Sequence, residues 1–318
     1  MLALTRTDVQ RLVSMPDAIE LMKTAFSELS AGRVVSPLRT VIPVPEVHGD
    51  ALFMPARVPA LDALGVKIVS VFQENRSRDL PVIHALVAIL DPETGQALAI
   101  MDGTYLTALR TGAVSGAATD LLARPDSKTL VAIGAGAQGA TQIAAVCAVR
   151  PIERIIAVDR EQGILDRLRE NLARDWPDVV DRLETTTDAG VVRQADVICT
   201  ATTSRTPVFS DADVQPGTHI NAVGAFTPEM QELPAETVVR ATVVVDAVEA
   251  VLAEAGDFII PLDQGLVSRD KFERELGMVA AGTAPGRTSA DEITLFKSVG
   301  AALEDLAAGV AVYEALRT

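Results

Sequence analysis

Hydrophobic residues change their spacing near residue 129. Upstream they recur at helical intervals or alternate with polar residues between scattered prolines. Downstream they form short unbroken runs set between helical stretches. Ile19, Met22, Phe26 and Leu29 fall at intervals of three and four, which makes one apolar stripe and predicts a helix over residues 17–31. Ser14 and Asp17 stand at capping-box spacing, Pro16 suits the first turn, and Gly32 supplies a stop. Strand-like runs follow at 39–44, 51–55 and 64–72, broken by Pro43, Pro45, Gly49 and Pro59. Residues 82–90, a turn from Asp91 to Gly95, and residues 97–101 read as a β-hairpin. The first third is therefore a helix followed by a largely antiparallel sheet, with a helix over about 104–123 leading out of it.

From Thr129 onward strand and helix alternate, the pattern of a parallel sheet with crossovers. The predicted strands, 130–133, 155–158, 197–200, 219–223 and 243–246, are largely apolar, as strands covered on both faces are. Phe296, Val299, Leu303, Leu306, Val310 and Tyr313 repeat at three and four and predict one last helix, which returns to the first domain for a partner surface. The expected fold class is α/β, a Rossmann-type parallel-sheet domain over 119–296 plus an α+β substrate-binding and dimerisation domain over 1–118 and 297–318.

Composition narrows the function. With 48% hydrophobic residues among 318, the chain can bury a substantial core, which excludes disorder as its main state. Its net charge of −15 repels nucleic-acid phosphates and anionic lipid, so neither is an expected partner. Two cysteines, Cys147 and Cys199, make no disulfide framework and suit a cytoplasmic protein as packing residues. Arg6, Asp8 and Arg11 interrupt the N-terminus, so no signal peptide is expected, and no run is apolar enough to span a bilayer.

Candidate chemistry begins at residue 131. A strand runs into Gly134-Ala135-Gly136-Ala137-Gln138-Gly139 and then into a helix. In such a G-x-G-x-x-G turn, Gly134 makes the tight bend, Gly136 lets the backbone approach a pyrophosphate, and Gly139 permits close helix–strand packing. The helix N-terminus offers free N–H groups to the phosphates. Asp159 follows Gly139 by 20 residues at the end of the next strand, where a carboxylate takes a ribose 2′-hydroxyl. It favours NAD, while the adjacent Arg160 keeps NADP open. Three cations stand out in the first domain. Lys67 lies in a strand apolar on both faces, as an edge lysine reaching water or a desolvated functional group. Arg110 sits mid-helix among small residues, as a ligand clamp or one half of a structural salt bridge. Arg39 follows Pro37. Together they could converge on a carboxylate. His84 reads as a half-buried structural histidine.

The runs Gly65-Val66-Lys67, Asp102 through Ala113, Gly134 through Gly139, and Phe296-Lys297-Ser298-Val299-Gly300 resemble the ornithine cyclodeaminase/μ-crystallin family across essentially the whole chain. The resemblance implies a homodimer whose N-terminal domain binds substrate and completes a shared barrel, with a Rossmann domain beside it. It puts Arg39, Lys67 and Arg110 on the substrate carboxylate, Lys67 and Arg110 also in catalysis, and Asp159 on the ribose. With Gly134, Gly136, Ala137, Gln138, Gly139 and Arg160, the expected cofactor set takes in Thr111, Thr200, Ala201, Thr202, Val223, Gly224 and Ser298. Two positions depart from the cyclodeaminase pattern. Leu52 stands where that enzyme has a glutamate for the substrate's terminal amine, and Phe226 where it has an aspartate for deamination. Neither side chain can solvate an ammonium or act as a base. The expected function is an NAD(P)H-dependent reductase of a small cyclic imino acid such as Δ1-pyrroline-2-carboxylate or piperideine-2-carboxylate. The alternatives are a cyclodeaminase-type lyase using NAD catalytically, an alanine-dehydrogenase-like oxidoreductase, and a non-catalytic crystallin-like NAD(P)-binding protein. No metal site is expected.

Overall fold

Two helices open the chain, each started by a hydroxyl side chain. In α1 (Arg6–Leu12) the Thr5 hydroxyl accepts the Asp8 N–H, and the Asp8 carboxylate accepts the Thr5 N–H at 2.9 Å. In α2 (Met15–Ser30) Ser14 caps the Asp17 N–H, and Gly32 follows the C-terminus in the left-handed region at φ 70°. The helix begins two residues earlier than its stripe suggests, because Met15 joins Ala18, Ile19, Met22, Ala25 and Phe26 on the buried face. The computed structural model describes residues 1–78 and 80–317. It divides into one unit of Met1–Arg110 with Ala301–Thr318 and a second of Thr111–Gly300.

The first unit holds a six-stranded sheet: β1 (Leu2–Leu4), β2 (Thr40–Val44), β3 (Gly49–Val58), β4 (Ala63–Phe72), β5 (Ile83–Leu90) and β6 (Ala97–Asp102), in the order β1-β6-β5-β4-β3-β2. All pairs are antiparallel except β1 with β6. β1 and α1 are too short to register in the hydrophobic pattern. Neither Pro43, expected to break a strand, nor Pro55, where one is expected to end, interrupts its ladder. Pro43 lies on the edge strand β2, which spares its missing donor. β3 runs on through Pro55, whose nitrogen faces the side where Arg57 bonds Val35, beyond the end of the β2 ladder. Met54, Lys67, Val87 and Met101 share one sheet face in register. Against the sheet and α2 packs a helix of Ala302–Ala315, buried almost all round over its first eight residues. The opposite face carries Phe53, Ile68, Leu86 and Ile100, all partly or fully exposed.

The helix α3 (Gly103–Leu122) contains the division between units. The crossing falls at Arg110/Thr111, earlier than the residue-118 boundary expected. From Thr111 on, α3 belongs with the second unit: a methyl group on Gly112 would lie 2.5 Å from the Thr141 carbonyl oxygen.

The second unit is a seven-stranded, wholly parallel sheet: β7 (Thr129–Ile133), β8 (Arg154–Val158), β9 (Leu183–Thr186), β10 (Val197–Thr200), β11 (His219–Ala222), β12 (Thr242–Val245) and β13 (Thr294–Lys297), in the order β12-β13-β11-β10-β7-β8-β9. α4 (Gly139–Val149) and α5 (Gln162–Asp175) cross over from β7 to β8 and from β8 to β9. Progression reverses between β7 and β10, the switch point outside which ligands bind in open parallel sheets. β9 and β13 went unread, β9 because Glu184 and two threonines dilute it and β13 because Phe296 fitted the stripe of the last helix. Phe296 is on β13 and Val299 in the following turn. The helix cannot start sooner because Gly300 has φ 83° and the Asp246 carboxylate holds the Ser298 hydroxyl and the Val299 and Gly300 N–H groups at 2.8–2.9 Å. These residues therefore belong with the second unit, and the second crossing falls at Gly300/Ala301 rather than 296/297.

Candidate active site

Lys67 sits in the middle of β4 on the covered sheet face and is 2% exposed. Its ammonium lies 2.6 Å from Asp305 Oδ2 on the terminal helix. Arg110 at the end of its unit's part of α3 is buried too. Its Nε donates to Asp305 Oδ1 at 3.1 Å and its Nη1 to Glu304 Oε2 at 2.5 Å. One carboxylate thus joins both cations. Burial drives the Lys67 pKa down and the neighbouring guanidinium drives it further. Asp305 and then Glu304 oppose them, leaving it at about 8. Burial works against the Arg110 charge as well, but Asp305 and Glu304 outweigh it and raise its pKa.

The open readings of the two residues resolve differently. Lys67 is a desolvated interior lysine and not an edge lysine reaching water. Arg110 is ion-paired with Glu304 and Asp305, in the same place as Lys67. Arg39 is partly exposed just before β2. Extending the β2–β3 register by one residue sets it opposite Met54, the partner of Lys67. Leu52, half-buried, lies two residues from Met54 on this face and pairs with Val69. His84 is exposed on the other face, away from these cations. Burial pushes the Cys147 thiol up to about 11 and the Cys199 thiol up to about 12, so both are inert packing residues.

In the second unit the glycine turn follows β7 at the switch point. Gly134 has φ 98°, and a methyl group there would meet the Ala201 carbonyl oxygen at 2.6 Å, so only glycine fits. At Gly139 it would meet the Gly134 oxygen at 2.8 Å. At Gly136 it would meet nothing within 4 Å. That opening, the N-terminus of α4, and a buried Gln138 Oε1 without a hydrogen-bond partner among the described residues fit a ligand cradle. Ala137 is exposed in the same turn. Asp159, just past β8, accepts the Ala135 N–H at 2.9 Å on Oδ2 and the Glu161 N–H at 3.2 Å on Oδ1, which fixes it against the turn. Arg160 beside it is exposed.

The turns after β10 and β11 are built around an acid the sequence did not single out. Glu232, fully buried, accepts the Thr200 hydroxyl at 3.0 Å and the N–H groups of Thr202 (2.6 Å), Gly224 (2.7 Å) and Ala225 (3.1 Å). Ala201 and Val223 continue the ladder from Ile133 and Thr200 through their own N–H groups. Asp257 accepts the Glu232 N–H at 2.7 Å and pairs with the buried Lys297 at 2.7 Å. Ser298 donates to Asp246 at 2.8 Å, Thr111 is buried near the start of the unit, and Phe226 packs half-buried against the core. Glu232, Asp257, Glu304 and Asp305 all went unread. Glu304 and Asp305 carried a usable signal, two consecutive acids inside an otherwise apolar helical run. Glu232 and Asp257 carried none, because their partners lie 7–40 residues away.

The model of the ornithine cyclodeaminase/mu-crystallin family matches residues 1–318. The chain belongs to that family. A relative, the Δ1-pyrroline-2-carboxylate reductase of Bacillus cereus, is 39% identical over 315 residues, covering 99% of this chain and 96% of that protein. Among solved structures, the Δ1-pyrroline-2-carboxylate reductase of Thermococcus litoralis, in complex with NADH and L-proline, superposes with TM-score 0.95 at 41% identity, covering 100% of this chain and 98% of that one. An archaeal alanine dehydrogenase dimer with bound NAD gives 0.91 at 34% identity, covering 100% and 96%. The family resemblance and the α/β fold class read from the sequence are both borne out.

Proposed function

We propose that this family member is an NAD-dependent reductase of small cyclic imino acids, with Δ1-pyrroline-2-carboxylate or its six-membered homologue as substrate. The observation that carries the reading is the buried Lys67–Arg110 pair on the same sheet face as Leu52. Two dry cations suit a carboxylate, and the leucine beside them suits ring carbons and offers nothing to a side-chain ammonium. The nearby Glu74 does not replace the missing acid, since it is exposed and engaged by His48 at 2.8 Å and Arg78 at 3.7 Å. The relatives that share this chain's full length and act on the same ring support the choice.

When bound, NADH supplies the hydride that reduces the imine carbon. The chain's own residues bind and orient. Arg110, with Arg39, clamps the carboxylate plane, and Lys67 donates to it or to the imine nitrogen as charge changes there. Gly134 through Gly139 with the α4 N-terminus would hold the pyrophosphate, and Asp159 the ribose; its carboxylate repels a 2′-phosphate, while Arg160 admits some NADP. Thr111, Thr200, Ala201, Thr202, Val223, Gly224 and Ser298 would complete the cofactor set. Phe226, in the second unit, stands where a cyclodeaminase has its aspartate and supplies no base for deamination.

The open face of the first sheet, with Phe53, Ile68, Leu86 and Ile100, suits a second copy of this chain, making the protein a homodimer. Among the described residues no helix is long and apolar enough to cross a membrane. Two free cysteines fit a place in the cytoplasm. Incubation with NADH and Δ1-pyrroline-2-carboxylate, followed by loss of NADH absorbance, tests the reading; absence of turnover with this and the six-membered imine would refute it.

A further inference from the structure

The terminal helix places Glu304 and Asp305 beneath both cations of the substrate site, and neither acid is accessible to solvent. A helix that only covers a sheet has no use for two adjacent buried acids, each costly to desolvate. Their bonds are specific. Asp305 gives one oxygen to each cation, Oδ2 to Lys67 Nζ at 2.6 Å and Oδ1 to Arg110 Nε at 3.1 Å. Glu304 holds Arg110 Nη1 with Oε2, and its Oε1 accepts the Ala301 N–H at 2.6 Å, which locks the carboxylate to the start of its own helix. The first turn of this helix thus acts as a rigid bracket.

From this bracket we infer that Asp305, braced by Glu304, is a positioning residue of the site: it sets the Lys67 ammonium and the Arg110 guanidinium at fixed separation and keeps the ammonium charged for an incoming carboxylate. The inference rests on the substrate-site reading given above.

The electrostatics around Lys67 agree with the geometry. The charged groups that face it are Arg110, Asp305 and Glu304, and its register neighbours on β3 and β5 are the apolar Met54 and Val87. Burial and Arg110 both favour loss of its proton, and among the described residues Asp305 and Glu304 hold the charge against them. Without them a lysine at this depth would be neutral at physiological pH and useless as a carboxylate ligand. Two cations against two acids leave the cluster neutral before substrate binds. The substrate carboxylate then adds an anion and reinforces the Lys67 charge, so anion binding and protonation support one another.

Lys67 titration can be followed directly, since the chain has only five lysines. The protein labelled with ¹⁵N-lysine, with Lys67→Arg for assignment, gives the Lys67 Nζ pKa by NMR without any substrate. Asp305→Asn should lower that pKa by about 1 unit or more, the effect of losing an opposite charge at contact distance. The alkaline limb of kcat/KM for the cyclic imine should move to lower pH by the same amount, with NADH affinity unchanged. Glu304→Gln should cause a smaller move, and Asp305→Glu should bring the limb back toward the wild-type position. If Asp305→Asn does not fold, Asp305→Glu decides: its kcat must fall because the longer arm displaces the ammonium, while the limb stays. An unmoved Lys67 pKa in Asp305→Asn, or an unchanged kcat in Asp305→Glu, would overturn the inference. A wild-type protein that shows the titration but reduces no cyclic imine would instead overturn the substrate reading.

Discussion

Two glycines of one turn should fail in opposite ways. A side chain at Gly134 strains the protein whether or not a cofactor is present. Alanine there must adopt φ 98° and put its methyl 2.6 Å from the Ala201 carbonyl oxygen and 2.8 Å from its carbon. The backbone conformation costs about 1–3 kcal/mol, and relieving the overlap costs about 1–3 more because both atoms are main chain. A loss near 3 kcal/mol corresponds to a Tm drop of roughly 6–12 °C for a unit of this size. Valine at Gly136 has open space around it and an ordinary φ, so Tm without cofactor should stay within about 1–2 °C of wild type, the ±0.5 kcal/mol of an unhindered surface change. The same isopropyl group would fill the approach to the pyrophosphate, and NADH affinity should fall by about 100-fold or more, near 2.7 kcal/mol. Thermal scans with and without NADH, beside a fluorescence titration, separate the two. Wild type should gain Tm as NADH is added and Gly136→Val should gain none. Gly136→Val that binds NADH as wild type does would rule out this turn as the pyrophosphate cradle, and Gly134→Ala with unchanged stability would rule out the strain at Gly134.

Other variants address the remaining contacts. Arg110→Lys keeps the charge but loses the planar donor pair that engages Glu304 and Asp305; kcat/KM for the imine should fall about 10–100-fold, a loss near 1.5–3 kcal/mol, with NADH affinity intact in a titration. Asp159→Ser should narrow or reverse the preference for NADH over NADPH in paired kcat/KM measurements, because it removes the carboxylate that repels a 2′-phosphate. Glu232→Ala leaves the buried N–H groups of Thr202, Gly224 and Ala225 without their acceptor. At about 1–3 kcal/mol per unsatisfied donor, Tm should drop by 6 °C or more by the same roughly 2–4 °C per kcal/mol, and NADH binding should weaken.

The second unit was legible because its signals are local. β7, β8, β10 and β12 are short, mostly apolar runs, and the G-x-G-x-x-G spacing between a strand and a helix is itself a local pattern, although the close contact that excludes a side chain at Gly134 comes from the distant Ala201. The first unit was harder to read. Its sheet tolerates Pro43 at an edge and Pro55 beyond a neighbour's end, which depends on which strands pair and not on the local run. Phe296 carries the 3-4 period of a helix and sits in a strand, because Gly300 and the Asp246 carboxylate, far off in sequence, close the turn between them. The site shows the same division. Lys67 and Arg110 stood out as cations in apolar or small-residue surroundings, whereas Asp305 lies 195 residues from Arg110, and two consecutive acids in an apolar helical run mark it as unusual without naming its partner. Periodicity reads a helix face as apolar or polar and passes over an acid that a distant cation makes buriable.

An apolar site with two dry cations should reduce a cyclic imine and should not deaminate an open-chain diamino acid. The most direct test sets the two reactions side by side: NADH oxidation with Δ1-pyrroline-2-carboxylate, and ammonia release from ornithine with NAD. Ornithine would have to bury its terminal ammonium unpaired beside Leu52, at a cost of several kcal/mol. Imine reduction should be readily measured and ammonia release negligible. Ammonia released from ornithine at a rate comparable to imine reduction would contradict the account.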